Sequence, residues 1–143
     1  ESDFGRTPKG VYIAVCNHVR AFEISKSVGG QPLFAYEFND PAAPNSAKHG
    51  IPGTVGPVHT AELQYLFHAE NLSGPSRSLS TMMIEYWANF IRNGNPNGVG
   101  LPVWPRYSNF TDAIQLIPGA VGIGKDINAS HKCSFWNSLG DAL

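Results

Sequence analysis

Apolar residues near the start of the chain return at three- and four-residue steps. Tyr12, Val15 or Cys16, Val19 and Phe22 line one stripe across residues 11–27, which predicts an amphipathic helix, and Gly29-Gly30 supplies its stop. The run Leu33-Phe34-Ala35-Tyr36-Glu37-Phe38 is almost continuously apolar or aromatic. That pattern predicts a strand of a parallel sheet with both faces buried, ended by Asn39-Asp40-Pro41. Residues 42–58 carry Pro44, Pro52 and Pro57 with Gly50, Gly53 and Gly56, and read as a long loop of the kind that is usually functional or disordered. A short helical turn is expected over residues 61–67. Leu79, Met82, Met83, Tyr86, Trp87, Phe90 and Ile91 then form a broad apolar face, the clearest helix of the chain, over residues 79–93. Ser78 or Ser80 is its expected cap, and Gly94 with Pro96 marks its end. Asn95-Pro96-Asn97-Gly98 is a turn cluster, and Trp104-Pro105 falls in an irregular stretch. Residues 113–117 are a short candidate strand, and residues 131–139 a terminal helix with Phe135 and Trp136 as anchors. Internal repeats, low-complexity tracts and a domain boundary are absent from the sequence, so residues 1–143 read as one segment.

Composition narrows the class. A hydrophobic fraction of 42% with 15% charged residues is that of a globular chain long enough for a real core. The formal net charge is −1 and basic runs are missing, so neither nucleic acid nor an anionic membrane is an expected partner. No stretch approaches the roughly 18 to 20 apolar residues of a membrane span. Glu1-Ser2-Asp3-Phe4-Gly5 has neither the basic start nor the apolar run of a signal peptide. With no initiator Met, the expectation is a fragment or a processed chain.

Cys16 and Cys133 stand near opposite ends of the chain, without the close spacing of a zinc ribbon or a redox pair. They read either as two unrelated buried thiols or as one disulfide closing nearly the whole chain. Asn71-Leu72-Ser73, Asn109-Phe110-Thr111 and Asn128-Ala129-Ser130 fit the N-glycosylation triplet. Three in a short chain favour a secreted protein, in which a disulfide persists and Asn71, Asn109 and Asn128 face solvent.

Seven segments in register resemble the last quarter of the type-B carboxylesterases, the cholinesterase-like branch of the α/β-hydrolases. The Cys-bearing helix and the strand Leu33-Phe34-Ala35-Tyr36-Glu37-Phe38 come first. Val58-His59-Thr60-Ala61-Glu62-Leu63-Gln64-Tyr65-Leu66-Phe67 is similar to the family's Gly-x-x-His-Gly-x-Glu-Leu-x-Tyr-Val-Phe. Met83-Ile84-Glu85-Tyr86-Trp87-Ala88-Asn89-Phe90 and Asn93-Gly94-Asn95-Pro96-Asn97-Gly98 resemble the helix and the Gly-Asp-Pro-Asn turn that follow. Leu101-Pro102-Val103-Trp104-Pro105-Arg106-Tyr107 resembles Trp-Pro-x-Tyr, and Lys132-Cys133-Ser134-Phe135-Trp136-Asn137 resembles the terminal Cys-x-Phe-Trp. Thr60 and His68 stand where the family usually has Gly.

The resemblance implies an α/β class with a partial α/β-hydrolase fold, the C-terminal strands and helices of a larger mixed sheet. It implies carboxylic-ester hydrolysis by a Ser-His-acid triad without a cofactor, on a small-molecule ester, with the upstream part of the same hydrolase domain as partner. It also implies a disulfide between Cys16 and Cys133. In such a triad the histidine accepts the serine proton and returns it to the leaving alcohol, which imidazole can do near neutral pH. His59 occupies that position, past a strand and at the end of a long loop, as the Ser, acid, His order of the fold requires. The nucleophile elbow Gly-x-Ser-x-Gly and a Gly-rich oxyanion loop do not occur in this sequence. Asp40 precedes His59, but the family's acid lies on an earlier loop, so Asp40 reads as a turn residue. Glu62 matches a family glutamate one helical turn after the histidine, with a supporting rather than a catalytic role. The run from Gly119 to Lys125 has the spacing of a P-loop, yet Asp126 replaces the hydroxyl that would hold magnesium. The five histidines show no metal-ligand spacing. The competing classes are a non-catalytic cholinesterase-like adhesion domain and an inactive fragment.

Overall fold

The computed structural model describes residues 15–44, 56–67, 72 and 74–138. Along the chain the elements are α1 (Val15–Val28), β1 (Tyr36–Phe38), α2 (Leu63–Leu66), α3 (Gly74–Asn93), β2 (Ile114–Leu116), β3 (Gly122–Ile123), α4 (Ile127–Ser130) and α5 (Cys133–Ser138). They fall into two compact units.

The first unit draws its described residues from Glu1–Ala35, Pro105–Ala113 and Gly124–Leu143. The periodicity of α1 is that expected: Cys16 and Val19 are buried, with Val15 and Phe22 packed beside them. Tyr12 lies outside the described residues. The stop works as its glycines suggest. Gly29 takes a φ of +73° and its N–H reaches back to the Ser25 carbonyl at 3.1 Å, a left-handed close that a side chain would strain. Around the buried stripe of α1 gather Ala35, Tyr107, Ala113, Ile127 and Cys133, with Leu33, Phe110 and Trp136 at the margin. Cys16 and Cys133 are joined as a disulfide at a Cα–Cα distance of 5.2 Å, tying α1 to α5 inside this core. The terminal helix expected over residues 131–139 is α5, over Cys133–Ser138, and a further short helix, α4, precedes it. Asp126 caps α4, its carboxylate accepting from the Ala129 N–H at 2.9 Å, which starts a helix earlier than the apolar pattern suggests. Trp136 is an anchor, whereas Phe135 is 54% exposed.

The second unit comprises the described residues of Tyr36–Trp104 and Ile114–Ile123. Its sheet has the order β1-β2-β3, with β1 parallel to β2 and β2 antiparallel to β3. Glu37 sits opposite Gln115, whose amide donates to the Glu37 carboxylate at 2.6 Å. The strand expected from Leu33 begins only at Tyr36. The Leu33 carbonyl is taken by the Tyr107 N–H at 2.8 Å, so the chain changes partners before the ladder starts. Both faces of β1 are not buried either: Tyr36 is 38% exposed, its ring edge-on to Trp87 and Trp104. The two residues of β3 lie within the P-loop-like run. There Ile117-Pro118-Gly119-Ala120 closes a turn through the Ala120 N–H and the Ile117 carbonyl, and Gly119 has a φ of +75°. Pro before a positive-φ Gly is the composition of a type II turn, so these glycines turn a hairpin.

Helix α3 starts five residues before the expected position. Neither Ser78 nor Ser80 caps it; the buried Ser80 hydroxyl donates to the Tyr65 carbonyl. Leu79, Met83 and Tyr86 are buried, but Phe90 and Ile91 are 46% and 80% exposed, so the apolar face narrows towards the C-terminus. Gly94 ends the helix at a φ of +66°. Beyond it, Asn97 grips Trp104 on both sides of its peptide, accepting from the Trp104 N–H at 2.7 Å and donating to its carbonyl at 2.8 Å.

Candidate active site

His59 stands at the head of a short turn that leads into α2, and it is exposed. The Ala61 N–H donates to the Val58 carbonyl at 3.0 Å, closing a four-residue turn with His59 and Thr60 at its centre. Thr60 has a φ of +72°. Positive φ at the third position is the mark of a type II turn, where glycine is the preferred residue. That gives a physical reason for the Gly that the family resemblance expects after the histidine. Here a β-branched residue takes the same backbone conformation, at a steric cost of about 1–2 kcal/mol.

The segment before His59 is brought back to the exit of β1. Gly56 is buried at a φ of +72°, and a Cβ added there would meet the Pro41 carbonyl oxygen at 3.7 Å. The Val58 N–H then bonds to the Gly56 carbonyl at 2.8 Å. The segment after His59 is fastened more tightly. Ala61 is buried, Gln64 donates to the Pro44 carbonyl at 2.6 Å, and Tyr65 is wholly buried with its ring against Phe38 at 4.8 Å. Pro41 and Pro44, past the C-terminal end of a parallel strand, thus meet Gly56 and Gln64, and His59 is displayed between these two.

Glu62 is half-buried and forms the N-cap of α2, with no hydrogen bond from its side chain to the helix; its carbonyl accepts from the Tyr65 and Leu66 N–H groups. Asp40 does lie in a turn, but it is buried at 2% exposure. Its carboxylate accepts from the Ala42 N–H at 2.8 Å, from the Ser76 hydroxyl at 3.1 Å and from the Tyr65 hydroxyl. Its donors are thus Ala42, Ser76 and Tyr65, and His59 is not among them. Burial, and then the Asp40 bond, push the Tyr65 phenol well above its ordinary pKa. Sequence reasoning missed Tyr65 and Ser76 as partners of Asp40. The available signal was a charged residue directly after an apolar strand, at the position where the chain must turn back.

Of the triplet asparagines, Asn109 is exposed, and its side-chain carbonyl accepts from the Thr111 N–H at 2.8 Å and from the Thr111 hydroxyl. Asn128 is half-buried in α4 and donates to the Ser134 hydroxyl at 3.3 Å. Asn71 lies outside the described residues. Among the described residues no group of three His, Cys, Asp or Glu side chains is placed to hold a metal ion, and no helix is long and apolar enough to cross a membrane.

Residues 10–136 match the Carboxylesterase family. Carboxylesterase 4A of Bos taurus is 37% identical over 115 residues, covering 77% of this chain and 20% of that protein. Carboxylesterase 1E of Mus musculus is 37% identical over 114 residues, with the same two shares. Carboxylesterase 5A of Canis lupus familiaris is 33% identical over 118 residues, or 76% of this chain and 20% of that protein. The chain belongs to the carboxylesterase family. Membership implies the α/β-hydrolase fold, and helices with a small mixed sheet are consistent with part of one. The chain spans about a fifth of the length of the relatives it matches.

Proposed function

We propose that this chain supplies the catalytic histidine, His59, to a serine carboxylesterase whose nucleophile and acid lie in other segments of the same hydrolase domain. The observation that carries the reading is the display of an exposed imidazole on a tight turn at the C-terminal end of parallel strand β1, in a chain of the carboxylesterase family. At that position the ring takes the proton of an attacking serine hydroxyl as the acyl carbonyl becomes tetrahedral. It then returns the proton to the departing alkoxide, and repeats the exchange with water to free the enzyme. Glu62 acts indirectly, by starting α2 directly after the His59 turn. No cofactor enters this chemistry, and the substrate is a small carboxylic ester.

Residues 1–143 are read as one C-terminal segment of that domain, with the two compact units as parts of it. A secreted glycoprotein is the setting that best accounts for the Cys16–Cys133 disulfide and the exposed Asn109 triplet, with Asn71 and Asn128 as further candidate glycan sites.

The test is p-nitrophenyl ester turnover by the chain alone and by the chain joined to the preceding segments of its hydrolase domain. The joined protein is expected to turn over ester, and the chain alone to match a denatured-protein control. Activity in the chain alone would point to a different catalytic site, and an inactive joined protein would favour the adhesion-domain reading.

A further inference from the structure

We propose that Asp40 is the positioning residue of the His59 segment: its buried carboxylate fastens the exit of β1 to α2 and α3, and so holds both ends of the stretch that presents the imidazole. The proposal rests on the reading of His59 as the catalytic base.

Asp40 and Ser80 are the buried polar residues among the described ones, and Asp40 alone of the two is charged. Taking a carboxylate out of water costs several kcal/mol unless donors surround it. Three do, and each comes from a different part of the loop's frame. Oδ1 accepts from the Ala42 N–H at 2.8 Å, which with the Ala43 N–H to Asp40 carbonyl bond at 3.2 Å shapes the turn leaving β1. Oδ2 accepts from the Tyr65 hydroxyl on α2, six residues beyond His59. It accepts also from the Ser76 hydroxyl in the first turn of α3, at 3.1 Å. Helix α3 has no acidic residue of its own in that turn, so Asp40 supplies the negative charge its N-terminus favours.

The geometry on the other side of His59 depends on the same carboxylate. Gly56, three residues before His59, packs its backbone on Pro41, within the turn that Asp40 shapes. The Gln64 amide bonds to the Pro44 carbonyl just past that turn. The His59 segment is therefore seated at both ends on residues 40–44. A buried charge adds little net stability over a well-packed apolar group, and in some proteins what it contributes is structural specificity. Geometry is what a general base requires, since a displacement of about 1 Å can cost about a hundredfold in rate.

The experiment uses the joined, active esterase with Asp40→Asn, Tyr65→Phe and His59→Ala, singly and with Asp40→Asn combined with His59→Ala. Ester kcat and KM are measured below the melting transition of each variant, with circular dichroism confirming the fold. Asp40→Asn and Tyr65→Phe are expected to lower kcat by about tenfold or more while KM stays within about twofold, the pattern of an interaction felt in the transition state. The double variant is expected to be no slower than His59→Ala, because Asp40 acts through His59. A merely structural Asp40 would lower the melting temperature and leave the kcat of the folded protein unchanged, which overturns the proposal. If Asp40→Asn does not fold, Tyr65→Phe, which removes only the phenol hydroxyl, decides by the same criterion. An active His59→Ala would overturn the base assignment and this proposal with it. An inactive His59→Ala beside a fully active Tyr65→Phe and Asp40→Asn would overturn this proposal alone.

Discussion

Thr60 holds the backbone of the His59 turn in a conformation that its side chain opposes. The steric cost at positive φ is about 1–2 kcal/mol, and glycine in its place would give back roughly 0.5–1 kcal/mol of that through its freer unfolded chain. Thr60→Gly is therefore expected to stabilise the protein by up to about 1 kcal/mol, read as a higher urea midpoint at unchanged slope. A lower midpoint would mean that the Thr60 side chain contributes contacts that outweigh the strain. The residue scale is also where the sequence was least and most informative by turns. His59 is singled out in the sequence because six flanking segments resemble one family in order, and Thr60 stands out because it departs from that pattern. Asp40 was visible only as a turn residue, since Tyr65 and Ser76 lie 25 and 36 residues away along the chain and nothing local marks them as its donors.

Helices α1 and α3 were legible because each buries a stripe with helical period, and the stripe survives in the sequence whatever the rest of the fold does. The strands were legible in place but not in extent, for a physical reason: the expected strands 33–38 and 113–117 contain β1 and β2 in shorter form, and β3 was not expected. With three or two residues each, they hold too few alternations to show a period, and their limits are set by distant partners such as Tyr107 for Leu33. The last turns of α3 mislead in the other direction, because Phe90 and Ile91 extend the apolar stripe without being buried. Within α3, Tyr86 is wholly buried and its hydroxyl donates to the Pro102 carbonyl at 2.6 Å. Burial pushes its phenol up to about 12 from 10.0. The folded-state value is the raised one. The stabilisation is therefore complete below the ordinary phenol value and is lost as pH rises from about 10 through about 12. Melting temperatures taken near neutrality and near pH 11 are expected to fall steeply for the parent protein and less steeply for Tyr86→Phe. Equal falls in both would show that Tyr86 ionisation does not govern the alkaline limb.

At the scale of the whole molecule, two compact units are each closed by contacts distant in sequence: a disulfide with a separation of 117 in the first, and a parallel β1–β2 pairing in the second. Closing so long a loop removes unfolded-state freedom worth about 4–5 kcal/mol in the chain-entropy model. The Cys16–Cys133 pairing was implied by family resemblance, since the cysteine spacing alone left two unrelated thiols as the alternative. The partial α/β-hydrolase character was legible for the same reason, through ordered landmarks rather than through the sheet itself. On the proposed function, what the chain contributes turns on His59. The most direct measurement is kcat/KM for a p-nitrophenyl ester with the joined esterase and its His59→Ala variant, both shown to be folded. Loss of the base is expected to lower kcat/KM by at least about a thousandfold, as removal of one member of a catalytic triad does. A His59→Ala protein within about tenfold of the parent would contradict the assignment of His59 as the catalytic base.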